Sequence, residues 1–248
     1  MKLTKKIFIA FALIFVSVVS SIIVKEGYIG VLSNNKALPI YSVETKDKRV
    51  AITFDVSWGE DNTDKILDIL DKYHVKATFF FVGGWIDMYP DKLKEIYDRG
   101  HELGNHTDRH PDLTRITREK IIKEIAVNDA KIMKITGFEP KLFRCPEGAY
   151  NDSVIKTIED TGHYAIQWDV DSIDWKEEGA DLELNRVLKK TKPGSIILFH
   201  NNAINTPLNL PKIIEYFQKN GYEFVKVGDL IYKDNYYLDY SGKQFKNN

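Results

Sequence analysis

The feature that most constrains the fold is the regular alternation, from Lys46 onward, of short strand-like segments with amphipathic helical segments. In segment 63–73 the apolar residues recur on one helical face, namely Ile66, Leu67, Leu70 and Tyr73. The strand–helix unit repeats about seven times along the chain. Such sustained alternation predicts a parallel sheet with right-handed crossovers, and therefore either a barrel or a doubly wound sheet.

The predicted elements fill most of the chain after residue 46. Strands are predicted at 49–54, 77–82, 102–105, 141–144, 164–168, 195–199 and 223–225. Helices are predicted at 63–73, 90–99, 117–136, 152–161, 181–191 and 211–220. The sequence contains neither the glycine-rich dinucleotide fingerprint nor a P-loop, which disfavours a nucleotide-binding open sheet. The predicted class is an α/β fold with a distorted (β/α) barrel of about seven parallel strands.

Composition excludes several classes of function. The 248 residues, 43% of them hydrophobic, suit one medium-sized domain with its own core. Thirty-five basic and 36 acidic residues nearly cancel, without a basic block that would bind nucleic acid. Cys145 is the single cysteine, so the chain has no intrachain disulfide framework.

The N-terminus has the pattern of an export segment. Lys2, Lys5 and Lys6 precede the uncharged stretch 7–24, which is long enough to cross a bilayer core as a helix of ~27 Å. An uncleaved single-pass anchor and a cleaved signal peptide both remain open, and either one places the rest of the chain outside the cytoplasm. The predicted parts are an anchor or signal at 1–25, a linker at 26–45, a folded domain at 46–233 and a polar tail at 234–248.

Titratable or charged side chains follow five of the predicted strands. In chain order they are Asp55, His106 with His110, Arg144, the acids Asp169, Asp171 and Asp174, and His200. The carboxyl ends of parallel strands share one rim of a barrel, where active sites are built. These side chains therefore predict one common site.

His106 and His110 are four residues apart, a spacing that directs two imidazoles towards one point. Neutral imidazole is a preferred ligand of zinc. Together with their place on the rim, the two histidines predict a divalent metal, most simply zinc.

Five motifs occur in the order found in one known family. They are Thr53-Phe-Asp-Val56, His106-Thr-Asp-Arg-His110, Arg144-Cys-Pro-Glu-Gly-Ala-Tyr150, Asp171-Ser-Ile-Asp-Trp175 and Leu198-Phe-His200. In these motifs the chain resembles the polysaccharide deacetylase (NodB homology) family, carbohydrate esterase family 4, over about residues 46–231. The first motif, continued as Ser57-Trp-Gly59, resembles the sporulation-associated PdaB-like branch.

The resemblance implies metal-dependent removal of acetyl groups from N-acetylated sugars, with peptidoglycan as the expected glycan. It implies that Asp55 is the general base, that Arg144 orients it, and that His106 and His110 bind the metal. It further implies that His200 protonates the leaving amine and is tuned by Asp174. Such a division of roles suits amide hydrolysis, which needs a base for water and an acid for the amine. Trp58, Tyr150 and Trp175 are candidate contacts for sugar rings.

Val56 departs from the family pattern, because members commonly carry there the aspartate that is the third metal ligand. Catalytic zinc usually has three protein ligands, so metal binding through two histidines is expected to be weak. Asp55, Asp108, Glu60 or water are alternative donors. Two functions follow: an N-deacetylase of cell-wall glycan, and a non-catalytic glycan-binding relative that has lost its metal.

Overall fold

A curled parallel sheet forms the centre of the folded unit. The computed structural model describes residues 36–247, and the chain from Ala37 onward belongs to this unit. Across the sheet the strands are β6 (Tyr164–Ala165), β5 (Leu142–Phe143), β4 (Glu102–Asn105), β3 (Thr78–Phe81), β2 (Arg49–Val56), β8 (Ile196–His200) and β7 (Val170–Asp171). Each neighbouring pair is parallel, and β9 (Glu223–Phe224) adds to the start of β2. The predicted distorted barrel of about seven parallel strands is confirmed.

Helices connect the strands. They are α1 (Thr63–Lys72), α2 (Gly83–Met88), α3 (Pro90–Asp98), α4 (Arg118–Thr136), α5 (Asp152–Asp160), α6 (Ala180–Lys190), α7 (Thr206–Lys219) and α8 (Val227–Leu230). The ends of α4 follow from local chemistry: the Thr117 hydroxyl accepts a hydrogen bond from the Lys120 amide, and Gly137 ends the helix with a φ of 72°.

The side chains of β2 alternate between two environments. Ile52, Phe54 and Val56 are fully buried in one apolar cluster, which also contains residues of α1 and α7. Because successive side chains of a strand point to opposite faces, Asp55 faces the other side of the sheet. The strand thus separates its carboxylate from its aliphatic residues.

Three helices differ from the sequence-based prediction. Helices α2 and α8 lie in segments to which the sequence analysis assigned no element, and α2 ends just before Pro90 begins α3. Helix α7 begins at Thr206 instead of at Pro211. The reason is that Pro207 occupies the first turn of α7, where a missing N–H costs little, and Pro211 lies inside the helix.

A second, three-stranded sheet joins the two ends of the unit. Its strands are β1 (Ser42–Val43), β10 (Tyr236–Leu238) and β11 (Lys243–Lys246). Strand β1 runs parallel to β11, and β10 is antiparallel to β11. Parts of the predicted linker 26–45 and of the predicted polar tail 234–248 are therefore paired structure. Their short strands lack the length that would reveal them in the sequence.

The predicted membrane or signal segment 1–25 lies outside the described residues. Within residues 36–247, no helix has both the length and the apolar character required to cross a bilayer.

Candidate active site

Asp55 and Arg144 form a buried ion pair at the end of β2. Arg144 Nη1 donates a 2.7 Å hydrogen bond to Asp55 Oδ1, and Nη2 donates to the carbonyl oxygen of Gln167 at 3.2 Å. The guanidinium also stacks on Phe80, 4.1 Å from the ring centre. Burial raises the pKa of Asp55, but the charge and hydrogen bond of Arg144, with contributions from His106 and His200, bring it below its ordinary value. Asp55 is therefore ionised at neutral pH.

His106 and His110 lie next to this pair. The ring centres of the two histidines are 5.0 Å apart, and His106 Nε2 is 3.5 Å from Asp55 Oδ2. His106 Nδ1 lies 2.8 Å from the carbonyl oxygen of Arg144, which assigns it as the donor and leaves Nε2 free of its proton when the ring is neutral. Burial lowers the pKa of His106 to about 4, and it also lowers the pKa of His110. Both rings are thus in the neutral form that binds metal.

His200 and Asp174 form the second pair. His200 Nδ1 donates to Asp174 Oδ1 at 2.7 Å, while the His200 amide donates to Oδ2 at 2.7 Å. Burial lowers the pKa of His200, but the hydrogen bond and charge of Asp174 outweigh it, so the net pKa is raised. In the register of the sheet His200 lies directly opposite Asp55 on the neighbouring strand. An ionised carboxylate and a proton-carrying imidazole therefore share one rim.

These groups open onto a cleft of about 590 Å³. Of the predicted site residues, Asp55, His106, His110 and His200 line it, together with Trp58 and Trp175. The two indoles are 59% and 58% exposed, so they are free to contact a ligand. Arg144 and Asp174 lie behind the cleft and hold Asp55 and His200 in place.

Other residues of the cleft escaped the sequence analysis. They are Ser57, Glu147, Trp168, Glu177, Leu198, Asn202 and Ala203. Glu147 has a φ of 55° in the turn that follows Arg144, and this left-handed conformation is uncommon outside glycine. The turn signal Pro146-Glu-Gly148 was available in the sequence, but it does not indicate which side chain faces the cleft.

Tyr150 is not among the residues that line the cleft, and its role as a contact for a sugar ring stays a prediction. Its hydroxyl lies 3.0 Å from the Tyr41 hydroxyl, and its ring packs on the apolar cluster that contains Leu113 and Phe143. Neighbouring Cys145 is buried, and burial raises the pKa of its thiol to about 12, so it carries no thiolate at neutral pH.

The donor atoms fit a catalytic zinc site only in part. Residues 36–247 contain no group of three His, Cys, Asp or Glu side chains arranged to hold a metal. Val56 faces the apolar cluster, and Asp108 is bound by Lys131 at 2.6 Å and Arg109 at 3.0 Å. Glu60 is exposed and is not part of the cleft. His106 and His110 remain, with Asp55 as the one carboxylate beside them. With Asp55 held by Arg144 as the proposed base, the set is one protein ligand short of the usual three.

Comparison with known proteins decides the family. The family model described as polysaccharide deacetylase matches residues 42–166. The peptidoglycan-N-acetylmuramic acid deacetylase PdaA of Bacillus subtilis is 33% identical, over 78% of this chain and 75% of PdaA. The chain belongs to the polysaccharide deacetylase family. A second relative in this family, a peptidoglycan-N-acetylglucosamine deacetylase of Bacillus cereus, is 35% identical, over 77% of this chain and 92% of that protein.

Solved structures of the polysaccharide deacetylase family include one without activity. A carbohydrate esterase family 4 pseudoenzyme from Bacillus anthracis is 34% identical, with a TM-score of 0.75 over 78% of this chain and 69% of that one. A mutant of the same pseudoenzyme has restored enzymatic activity. The resemblance found in the five motifs is confirmed, and the family includes both active and inactive members.

Proposed function

We propose that this chain is a hydrolase that removes N-acetyl groups from the amino sugars of peptidoglycan. One observation carries the proposal: Asp55 and His200 lie opposite each other on neighbouring strands, and both open onto the cleft. The similarity to two named peptidoglycan deacetylases supports the choice of glycan. The exposed indoles of Trp58 and Trp175 provide apolar surfaces for sugar rings.

In the proposed reaction Asp55 takes a proton from a water molecule, and the oxygen of that water attacks the acetyl carbonyl carbon. His200 gives its proton to the sugar nitrogen as the carbon–nitrogen bond breaks, which releases acetate and the free amine. Arg144 keeps Asp55 ionised and oriented, and Asp174 keeps the proton on His200 Nδ1 so that Nε2 can serve the nitrogen. No step is assigned to a metal, because the donor set falls one ligand short.

The decisive experiment measures free acetate released from purified peptidoglycan, with a chelator and with added zinc. We expect acetate to appear together with an equal amount of free amino sugar. Release that increases with zinc would identify His106 and His110 as a weak metal site.

A second candidate function is glycan binding without catalysis. It is favoured by Val56, which cannot coordinate a metal, and by the similarity to a family pseudoenzyme. Peptidoglycan that binds to the protein but yields no acetate under any metal condition would establish this alternative.

Val56→Asp tests whether one missing ligand limits metal binding. A carboxylate at the end of β2 adds a ligand and a negative charge, so we expect zinc affinity to increase more than the tenfold that corresponds to ~1.4 kcal/mol. The side chain replaces a fully buried valine, so we also expect a lower melting temperature in chelator. Calorimetric titration and thermal unfolding measure the two effects.

Val56→Asn is the matched control, since it has the same shape and a similar packing cost without the charge. Zinc affinity that is equal in both variants would mean that the carboxylate stays in the apolar cluster. Tight stoichiometric zinc in the unmodified protein would mean that another group already serves as third ligand.

We also propose that the domain works outside the cytoplasm, anchored or released by the N-terminal segment, and that it belongs to the sporulation-associated branch. The charge pattern of Lys2, Lys5 and Lys6 supports export, and the first motif supports the branch. Asn247→Cys should react with a membrane-impermeant thiol reagent on intact cells. The unmodified protein is the control, because Cys145 is buried. Labelling only after lysis would contradict export.

A further inference from the structure

Glu183 is a buried acid for which the proposed reaction has no use. It lies on α6, 2% exposed, and among residues 36–247 neither of its carboxyl oxygens has a hydrogen-bond partner. It is absent from the residues that line the cleft. Instead it borders a small cavity together with Asp174. An ionised carboxylate in such a place is costly, because burial without a partner removes its hydration.

The oxygen atoms around Glu183 lack a hydrogen-bond donor. The Asn209 and Thr206 side chains face Glu183. Asn209 Nδ2 donates to the Ala180 carbonyl oxygen at 2.7 Å, while Asn209 Oδ1 has no donor in the described part of the chain. Thr206 has one hydroxyl proton, which it donates to Asp174 Oδ2 at 2.9 Å. A proton on Glu183 itself would supply the donor that these oxygens lack.

The charges around Glu183 also favour its protonated form. The pKa of Glu183 is raised to about 7, mainly by burial and in part by the charge of Asp174. The nearby side chains of Asn209 and Thr206 oppose the rise, although their donors are within hydrogen-bonding geometry of Ala180 and Asp174 and not of Glu183. Glu177 and Glu178 line the same cavity and add negative charge. The residues of α7 that face Glu183 carry no charge. Within residues 36–247, no cation is among the groups that shift the pKa of Glu183, and Arg186, one turn further along α6, donates to the Asp171 carbonyl oxygen.

We propose that Glu183 is a positioning residue for the Asp174–His200 pair, holding a proton so that Thr206 keeps its own hydroxyl proton on Asp174. An ionised Glu183 would compete for the Thr206 proton and place a second negative charge behind Asp174. Both effects strengthen the hold of Asp174 on the His200 proton. The inference rests on the acid role proposed for His200, and it adds a second protonation state that controls that role.

Nuclear magnetic resonance titration of the full-length protein tests the proposal without requiring turnover. In the unmodified protein we expect the Glu183 carboxyl carbon to titrate near pH 7. We expect the His200 ring to respond to the same transition. In Glu183→Gln, which mimics the protonated form, His200 should titrate in one step with a midpoint lower by roughly half a pH unit or more. Glu178→Gln is the matched control, since it removes an exposed acid of the same cavity and should leave His200 unchanged.

Two results would overturn the proposal. One is a Glu183 carbon that titrates in the ordinary carboxyl range, which the unmodified protein reveals even if Glu183→Gln fails to fold. The other is a His200 midpoint that is identical in the unmodified protein and in folded Glu183→Gln. A protein that releases no acetate but shows the expected titrations contradicts the deacetylase function and leaves the positioning role of Glu183 intact.

Discussion

Asp55→Asn and His200→Ala should each lower the rate of acetate release by ~10²–10⁴-fold, because each removes one partner of a general acid–base reaction. Neither change should unfold the protein, but Asp55→Asn leaves the buried Arg144 guanidinium without its counter-charge and should lower the melting temperature. The loss should be smaller than in Arg144→Met, because the guanidinium keeps its hydrogen bond to the Gln167 carbonyl oxygen and its contact with Phe80. Asparagine keeps the shape of Asp55 and can still accept a hydrogen bond from Arg144, and His200 is at the open edge of the cleft. Circular dichroism and melting temperature establish the fold, and acetate release measures the rate.

Asp171→Asn is the matched control for Asp55→Asn. Asp171 also lines the cleft, but its oxygen accepts a hydrogen bond from the Ile173 amide, which asparagine can replace. We expect its rate to stay within a few-fold of the unmodified protein. Wild-type activity in either Asp55→Asn or His200→Ala would remove that residue from the mechanism.

Arg144→Met should be the most destabilising single change in the site, lowering the free energy of unfolding by about 3–5 kcal/mol. The guanidinium is fully buried between Asp55 and Phe80, and its loss leaves the Asp55 carboxylate without a counter-charge. The double variant with Asp55→Asn should recover much of this loss, because no buried charge then remains. Urea unfolding of the three variants measures the effect.

The loss in Arg144→Met should also depend on pH. Burial raises the pKa of Asp55, and the charge of Arg144 is the largest effect that lowers it again. Without Arg144 the folded pKa rises above the unfolded value, so the folded variant gains a proton in mild acid. The difference in stability should therefore shrink as the pH falls from neutral through the raised folded pKa of Asp55 in the variant.

Arg99→Met is the matched control, since Arg99 pairs with Asp68, Asp71 and Glu95 at a partly exposed position. Exposed pairs contribute ~0–1 kcal/mol, so a small effect is expected. A cost for Arg144→Met no larger than that of Arg99→Met would mean that the buried pair contributes little to stability.

The sequence predicted the rim because strand direction alone brings the ends of parallel strands together. This rule was enough to place Asp55, His106 and His200 together, because the alternation of strands and helices had already indicated a parallel sheet. The face on which a residue lies was harder to predict. Val56 follows Asp55 directly, yet its side chain enters the apolar cluster because the strand continues through both residues.

Residues that depend on turns or on distant packing escaped prediction. Glu147 lies in a left-handed turn and lines the cleft, which the sequence pattern did not reveal. Glu183 reads in the sequence as one more acid of a helix. Glu183 is buried beside Asp174 because α6 and α7 pack on the sheet. A local sequence pattern does not predict such packing.

The pairing of β1 with β11 has a consequence for the order of events when the chain folds. Ser42 and Lys243 are register partners, so the first strand of the unit finds its partner only after the last strand has been made. Asp55 likewise acquires His200 only when β8 docks beside β2. Contacts between such distant parts of a chain form slowly, because a long loop must close before they gain any stabilisation. The two proposed reacting groups therefore meet late, and a nascent chain that has completed only its first four parallel strands contains the base without the acid.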